Sequence, residues 1–255
     1  MIKNAALLAG FVFFLGACSE QEKPQYNLAD STLRFFEGGD QLTYTVLQTA
    51  TNNESLSEYS LKLESSDLFD ANNNTLDTFK EIHTGSGNFN PPFISRYFSQ
   101  NEEGDWIIQA INSEGNVLWL LDENNEPAGQ TYYLNNLANT PESYSFDKNL
   151  FICDNTNCEN SGNITFSYDL VGTENISTPY ADFEAYEFDI SLTINITANS
   201  ISSTSRLYVL DGREWIYPPL GVVKHDYDVL DEAQSYNLIG HLSQTNISIS
   251  SELKN

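Results

Sequence analysis

An all-β chain, mainly antiparallel and built as a curved sheet or half-barrel with little helix, is what these 255 residues predict. Three observations lead there. Apolar and polar residues alternate with period two over long stretches. No long stretch keeps a helical period. Tyr, Phe, Thr and Ile are abundant, which suits a pleated surface with one wet face.

The elements follow in order. Residues 1–17 read as an export signal, with Lys3, an apolar run from Ala5 to Leu15 and small residues at its end. The run is shorter than the roughly 20 apolar residues a spanning helix needs. Residues 18–30, including the polar stretch Glu20 to Ala29 with its Pro24, read as a tether. Residues 31–140 form an N-terminal β half. In it Leu42-Thr-Tyr-Thr-Val-Leu47 and Tyr59-Ser-Leu-Lys-Leu63 alternate, and Trp106-Ile-Ile-Gln pairs with Val117 to Leu121 across the turn at Glu114-Gly-Asn116.

Residues 141–162 are polar, begin at Pro141 and carry Cys153 and Cys158. They read as a connector with a disulfide loop, because a close even pair in an exported chain suggests a bridge. Zinc is the rival, but two thiolates make half a site. A redox pair more often reads C-x-x-C.

Residues 163–255 form a C-terminal β half. Ile164 to Tyr168 and the long run Phe183 to Ile196 alternate. Arg206 to Leu210, Asp211-Gly212 and Arg213 to Tyr217 read as a hairpin with a two-residue turn. Pro218-Pro219 then removes two ladder donors, and Gly221 bends the chain before Val222-Val223-Lys224. Asp228 to Leu238 is expected to hold one short helix. Arg96-Tyr-Phe-Ser with Trp106 echoes Arg206-Leu-Tyr-Val with Trp215 at an offset of about 110 residues, which suggests two duplicated halves.

Net charge is −25, and removal of the signal with its single Lys3 makes it −26. So negative a chain repels phosphate, so no nucleic-acid partner is expected. Anionic membrane surfaces are disfavoured too, apart from any lipid anchor.

Candidate chemistry is sparse. Asp70, Asn72, Asn74 and Glu81 sit at positions one, three, five and twelve of a loop, as calcium ligands do. Thr75 replaces the glycine at position six, so an Asn-rich turn with no metal is the preferred reading, and no other cofactor is expected. His83, His225 and His241 are the only histidines. His83 lacks a nucleophile-elbow context, and His225-Asp226 is expected to be exposed. Ser251-Glu-Leu-Lys254 fits S-x-x-K without a scaffold. Carboxylates are too numerous for sequence to single out a glycosidase pair. Tyr44, Tyr186, Phe188, Tyr208, Trp215 and Tyr217 are expected to line one side of the curved sheet, mainly as core. Trp215, Tyr217 and Tyr186 are the candidates for facing a ligand if that side forms a groove.

Two resemblances add to this. Leu15-Gly16-Ala17-Cys18 resembles the lipobox of bacterial lipoproteins. The resemblance implies cleavage before Cys18, acylation of its thiol and new amino group (palmitate among the chains), and anchorage in a membrane. Ser19, not being Asp, implies outer-membrane sorting by likeness to enterobacterial lipoproteins. Thr178 to Phe188 with Arg213 to Lys224 resembles a set of uncharacterised periplasmic and lipoprotein β domains of half-barrel shape, over Ile164 to Tyr227. The expected function is a membrane-anchored lipoprotein of the cell envelope, a non-catalytic binding or structural module. The alternatives are a carrier of a lipid or hydrophobic ligand and a hydrolase of envelope polymer. The expected partners are the membrane, through the lipid anchor, and an envelope protein or apolar ligand.

Overall fold

The computed structural model describes residues 23–28, 32–33, 41–50, 53–69, 75–87, 89–154, 157–198, 204–235 and 242–254. Their strands are β1 (Gln25–Tyr26), β2 (Gln41–Ala50), β3 (Asn53–Phe69), β4 (Thr75–Gly85), β5 (Ser95–Gln100), β6 (Trp106–Ser113) and β7 (Asn116–Trp119). There follow β8 (Gln130–Tyr133), β9 (Ser143–Cys153), β10 (Cys158–Ser177), β11 (Asp182–Ile196), β12 (Thr204–Tyr217), β13 (Gly221–Ser235) and β14 (Leu242–Leu253). Among the described residues the helical content is one 3-10 turn, Leu137–Asn139.

Twelve of these strands close into a ring. The order runs β11-β10-β9-β7-β6-β5-β4-β3-β2-β14-β13-β12, and β12 returns to pair with β11. Every pairing in the ring is antiparallel. The expected curved sheet is thus a closed barrel, which removes the unpaired edges a half-barrel would leave. β1 adds in parallel to the start of β11, and β8 pairs with β6 outside the ring order. Two seams are narrow: β4 meets β5 through Phe79↔Phe98 and Lys80↔Tyr97, and β7 meets β9 through two pairs.

Alternation decides the faces. Along β11, Phe188, Ile190, Leu192, Ile194 and Ile196 are buried, while Asp189 and Asn195 between them are exposed. Apolar side chains point in and polar ones out. This is the inverse of a transmembrane barrel, whose lipid face is apolar. Twelve strands enclose more width than eight, whose interior side chains alone can fill. Here residues from off the ring help: Leu33, Phe89, Ile94, Tyr132 and Leu137 join the same core as Tyr44, Phe166 and Tyr208.

Several sequence readings change. Asp211-Gly212 is not a turn but the middle of β12, which runs unbroken from Thr204 to Tyr217. Gly212 is there for close approach: a Cβ would stand 2.0 Å from the Asp226 carbonyl oxygen on β13. The Asp-Gly signal marks a backbone contact that only glycine permits. The two echoing segments therefore fold differently, since Arg96 to Trp106 spans a hairpin of β5 and β6. The helix expected at Asp228 to Leu238 is strand β13 as far as Ser235, where alternating burial against β12 and β14 overrides helical propensity; residues 236–238 lie outside the described residues. Residues 141–162 build β9 and the first residues of β10, closed by the Cys153–Cys158 disulfide at one register position. The turn at Glu114-Gly115 does join β6 to β7, with both residues at positive φ.

Candidate functional site

The barrel interior is not wholly apolar. A cavity of about 100 Å³ remains inside it, and charged side chains line it. Glu81 and His83, two residues apart on β4, share the inward face. Arg96 enters from β5, Tyr132 and Tyr133 from β8, Glu214 from β12, and His225 and Tyr227 from β13.

Glu81 and Arg96 form a buried pair. Arg96 Nε donates to Glu81 Oε2 at 2.6 Å and Nη2 to Oε1 at 2.7 Å, a fork that occupies both carboxylate oxygens. The Arg96 backbone N–H donates to Oε2 as well. The guanidinium also lies over the Tyr132 ring at 4.6 Å and donates to its hydroxyl. Burial alone would push the Glu81 carboxyl up; the Arg96 charge and bonds, with His83, bring it down to about 2.

Glu214 has a different setting. It is 3% exposed, and no cation bonds it among the described residues. Tyr133 Oη donates to Oε2 at 2.5 Å, and Tyr227 Oη donates to Oε1. Burial raises its pKa above the usual carboxylate range, against the pull of these two hydroxyls and the Arg96 charge. Burial likewise raises both tyrosines well above their ordinary value, so they stay protonated donors.

The histidines complete the wall. His225 faces Glu214 in register across β12 and β13, and stacks on Tyr227 at 4.4 Å between ring centroids. Burial, then His83, holds His225 neutral, with its pKa down to about 3. His225 Nε2 and both ring nitrogens of His83 have no hydrogen-bond partner among the described residues. His83 Nε2 stands 3.7 Å from Glu81 Oε2, too far for a hydrogen bond. Phe93 lies between the imidazoles, 5.3 Å from one and 5.7 Å from the other.

The expectation that His225 is exposed is overturned: it is 3% exposed, because alternation along β13 puts it inward with Val223, Tyr227 and Val229. Ser251 is fully buried and stands opposite His225 in register. Glu214, His225 and Ser251 thus form a row across three strands, and among the described residues neither the Ser251 hydroxyl nor His225 Nε2 has a hydrogen-bond partner.

The sequence candidates fall as follows. Tyr44 and Tyr208 line the cavity, and the Tyr44 hydroxyl donates to the Val222 carbonyl at 2.8 Å. Trp215 is buried away from the cavity; its indole N–H donates to Glu174 at 2.7 Å and Lys224 lies over its ring at 4.5 Å. Tyr217 is buried against Phe183 and Tyr26. Tyr186 is half-buried, opposite Ile216 in the ladder. Of the calcium candidates, Glu81 spends its carboxylate on Arg96 inside the barrel, and Asp70, Asn72 and Asn74 lie outside the described residues. Cys18 and His241 lie outside them too.

Sequence reasoning missed Arg96, Glu214, Tyr133 and Tyr227. One signal was present. Read as a single strand, Tyr208, Leu210, Gly212, Glu214 and Ile216 share a face, and a carboxylate among apolar neighbours stands out.

No family model matches the chain, and no curated protein matches it. Among solved structures, the chain is similar to a protein from Parabacteroides distasonis described as a lipoprotein, at 16% identity. That match covers 88% of this chain and 100% of the other, with a TM-score of 0.34. It is also similar to a Bacteroides fragilis protein described as exported and of YmcC-like fold, at 13% identity over 88% and 98% of the two chains, TM-score 0.29. A third is the hypothetical lipoprotein YmcC from Escherichia coli, at 6% identity over 84% and 83%, TM-score 0.28.

Proposed function

We propose that this chain is a lipid-anchored protein of the bacterial cell envelope, held at the outer membrane through Cys18, and that its barrel is a non-catalytic binding module with its ligand site inside. The anchor rests on Leu15-Gly16-Ala17-Cys18 after a short apolar run. The observation that carries the binding reading is the cavity itself. Buried ring nitrogens of His83 and His225 that have no hydrogen-bond partner among the described residues face it, and buried polar groups ordinarily find partners.

Size argues against a lipid carrier, since drug-sized ligands occupy pockets of about 300–1,000 Å³ and this cavity has about 100 Å³. A hydrolase of envelope polymer is the rival, because Glu81 and Glu214 share one cavity with pKa values pushed apart. Yet both Glu81 oxygens are occupied by Arg96, and a polymer does not fit.

Two measurements test the reading. Cys18→Ala should leave an unprocessed precursor that takes up no labelled palmitate; unchanged labelling refutes the anchor. Native mass spectrometry of protein released gently from its own membranes should show a small non-covalent adduct that denaturation removes. Bare protein, unstabilised by any small polar compound tried, refutes the interior site.

A further inference from the structure

Two carboxylates and one guanidinium line the cavity. Among the described residues these are Glu81, Glu214 and Arg96, and the imidazoles beside them are His83 and His225. Glu81 and Arg96 neutralise each other through two hydrogen bonds. Glu214 is left as one carboxylate in excess, 3% exposed, with two tyrosine hydroxyls as partners and no cation. A buried ionised carboxylate without a counter-charge is costly, so it either takes a proton or takes a cation.

The groups beside Glu214 favour the cation. His225 is its cross-strand neighbour on the inner face, and His225 Nε2 has no hydrogen-bond partner among the described residues. A neutral imidazole offers one ring nitrogen as an acceptor, which suits an incoming N–H donor. The remaining wall is aromatic. Tyr44, Tyr59, Phe93 and Tyr227 all line the cavity around His225. Aromatic faces carry the negative side of the ring quadrupole and attract cations. A carboxylate, an acceptor nitrogen and aromatic faces around one small space are complementary to a protonated amine. An anion would meet Glu214 unpaired, and Arg96 is already committed to Glu81.

We infer that the barrel interior binds a small organic ammonium ion, its N–H groups donating to Glu214 and His225 and its carbon atoms against Tyr44, Tyr59 and Phe93. This rests on the reading of the interior as a binding site and names the class of ligand for it. The cavity sets the size. An engineered apolar cavity of about 150 Å³ holds benzene, so about 100 Å³ admits a few heavy atoms, as in ethanolammonium.

The test is calorimetric titration of the full chain in detergent at pH 7 with three compounds of similar size. They are ethanolammonium chloride, ethylene glycol and sodium glycolate. Ethanolammonium should bind at least about tenfold more tightly than either of the others. Glu214→Gln keeps the shape and can still hydrogen-bond both tyrosines, so it should fold, and it should weaken ethanolammonium by about tenfold or more. The wild-type comparison stands even if that variant fails to fold. Equal binding of the three, tighter binding of glycolate, or no binding of ethanolammonium overturns the assignment. Tight glycol or glycolate binding would leave an interior site with another ligand. No heat from any compound, together with bare protein in native mass spectrometry, would remove the site altogether.

Discussion

Arg96→Met tests the polar interior through stability alone. The substitution removes the guanidinium that bonds both oxygens of Glu81 and lies over the Tyr132 and Phe98 rings, while a methionine keeps much of the apolar stem's volume. Glu81 is 4% exposed, so its carboxylate is shielded from bulk water. Removing one partner of a buried pair typically costs about 3–5 kcal/mol, because the other charge is left uncompensated. For a domain of this size each kcal/mol moves the melting temperature by about 2–4 °C, so a fall of roughly 6–20 °C is expected at pH 7. Two controls sharpen the result. Arg96→Met combined with Glu81→Met should regain most of the loss, since replacing a whole buried pair with apolar groups is often neutral. The deficit of the single variant should also shrink as pH falls. In the native protein Glu81 sits at about 2, so its stabilising contribution is present above pH 4.5 and is lost toward pH 2. Without Arg96, burial raises that carboxyl, and protonation then relieves the variant. The assay is urea unfolding followed by tryptophan fluorescence at pH 7 and pH 5. A single-variant loss below about 1 kcal/mol, or a double variant no more stable than the single, would refute the buried pair.

Three further outcomes follow from the geometry. His225 is held neutral in the folded state, at about 3 against an ordinary 6.5, so the unfolded chain binds its proton first. Stability should fall as pH drops from 6.5 toward 3, by up to about 1.4 kcal/mol per pH unit; a urea midpoint flat over that range contradicts the burial of His225. Trp215→Ala should cost roughly 3–5 kcal/mol, because the indole is buried and bonded to Glu174; an unchanged melt would mean an open platform. Gly212→Ala should lower the melting temperature sharply, since its Cβ would meet the Asp226 carbonyl oxygen at 2.0 Å; a wild-type melt would contradict the unbroken strand β12.

The fold class was legible because alternation is a local signal, and runs such as Phe183 to Ile196 carry it without help from the rest of the chain. Closure was not, because the ring is sealed where β14, near the end of the chain, pairs with β2, near its start, and no local pattern names those partners. The polar interior was hidden by one misread dipeptide. Taking Asp211-Gly212 as a turn cut β12 in two and separated Glu214 from Tyr208 and Leu210, with which it shares a face. His225 was set on the wrong face: a His-Asp pair after a lysine looks exposed, but alternation from Val223 through Tyr227 to Val229 turns His225 inward. Arg96 could not be assigned, because no local pattern sets its register against Glu81 across the narrow β4–β5 seam, and Tyr133 could not, because its partner Glu214 lies on a strand that only the closed ring brings near.

The central claim is that function resides inside the barrel, at Glu214 and His225. A crystal structure of the full chain grown with ethanolammonium chloride tests it most directly. Density for the amine is expected inside the ring, within hydrogen-bond distance of the Glu214 carboxylate and His225 Nε2. An amine seated outside the ring, or an interior closed over by side chains with no molecule at Glu214, would contradict it.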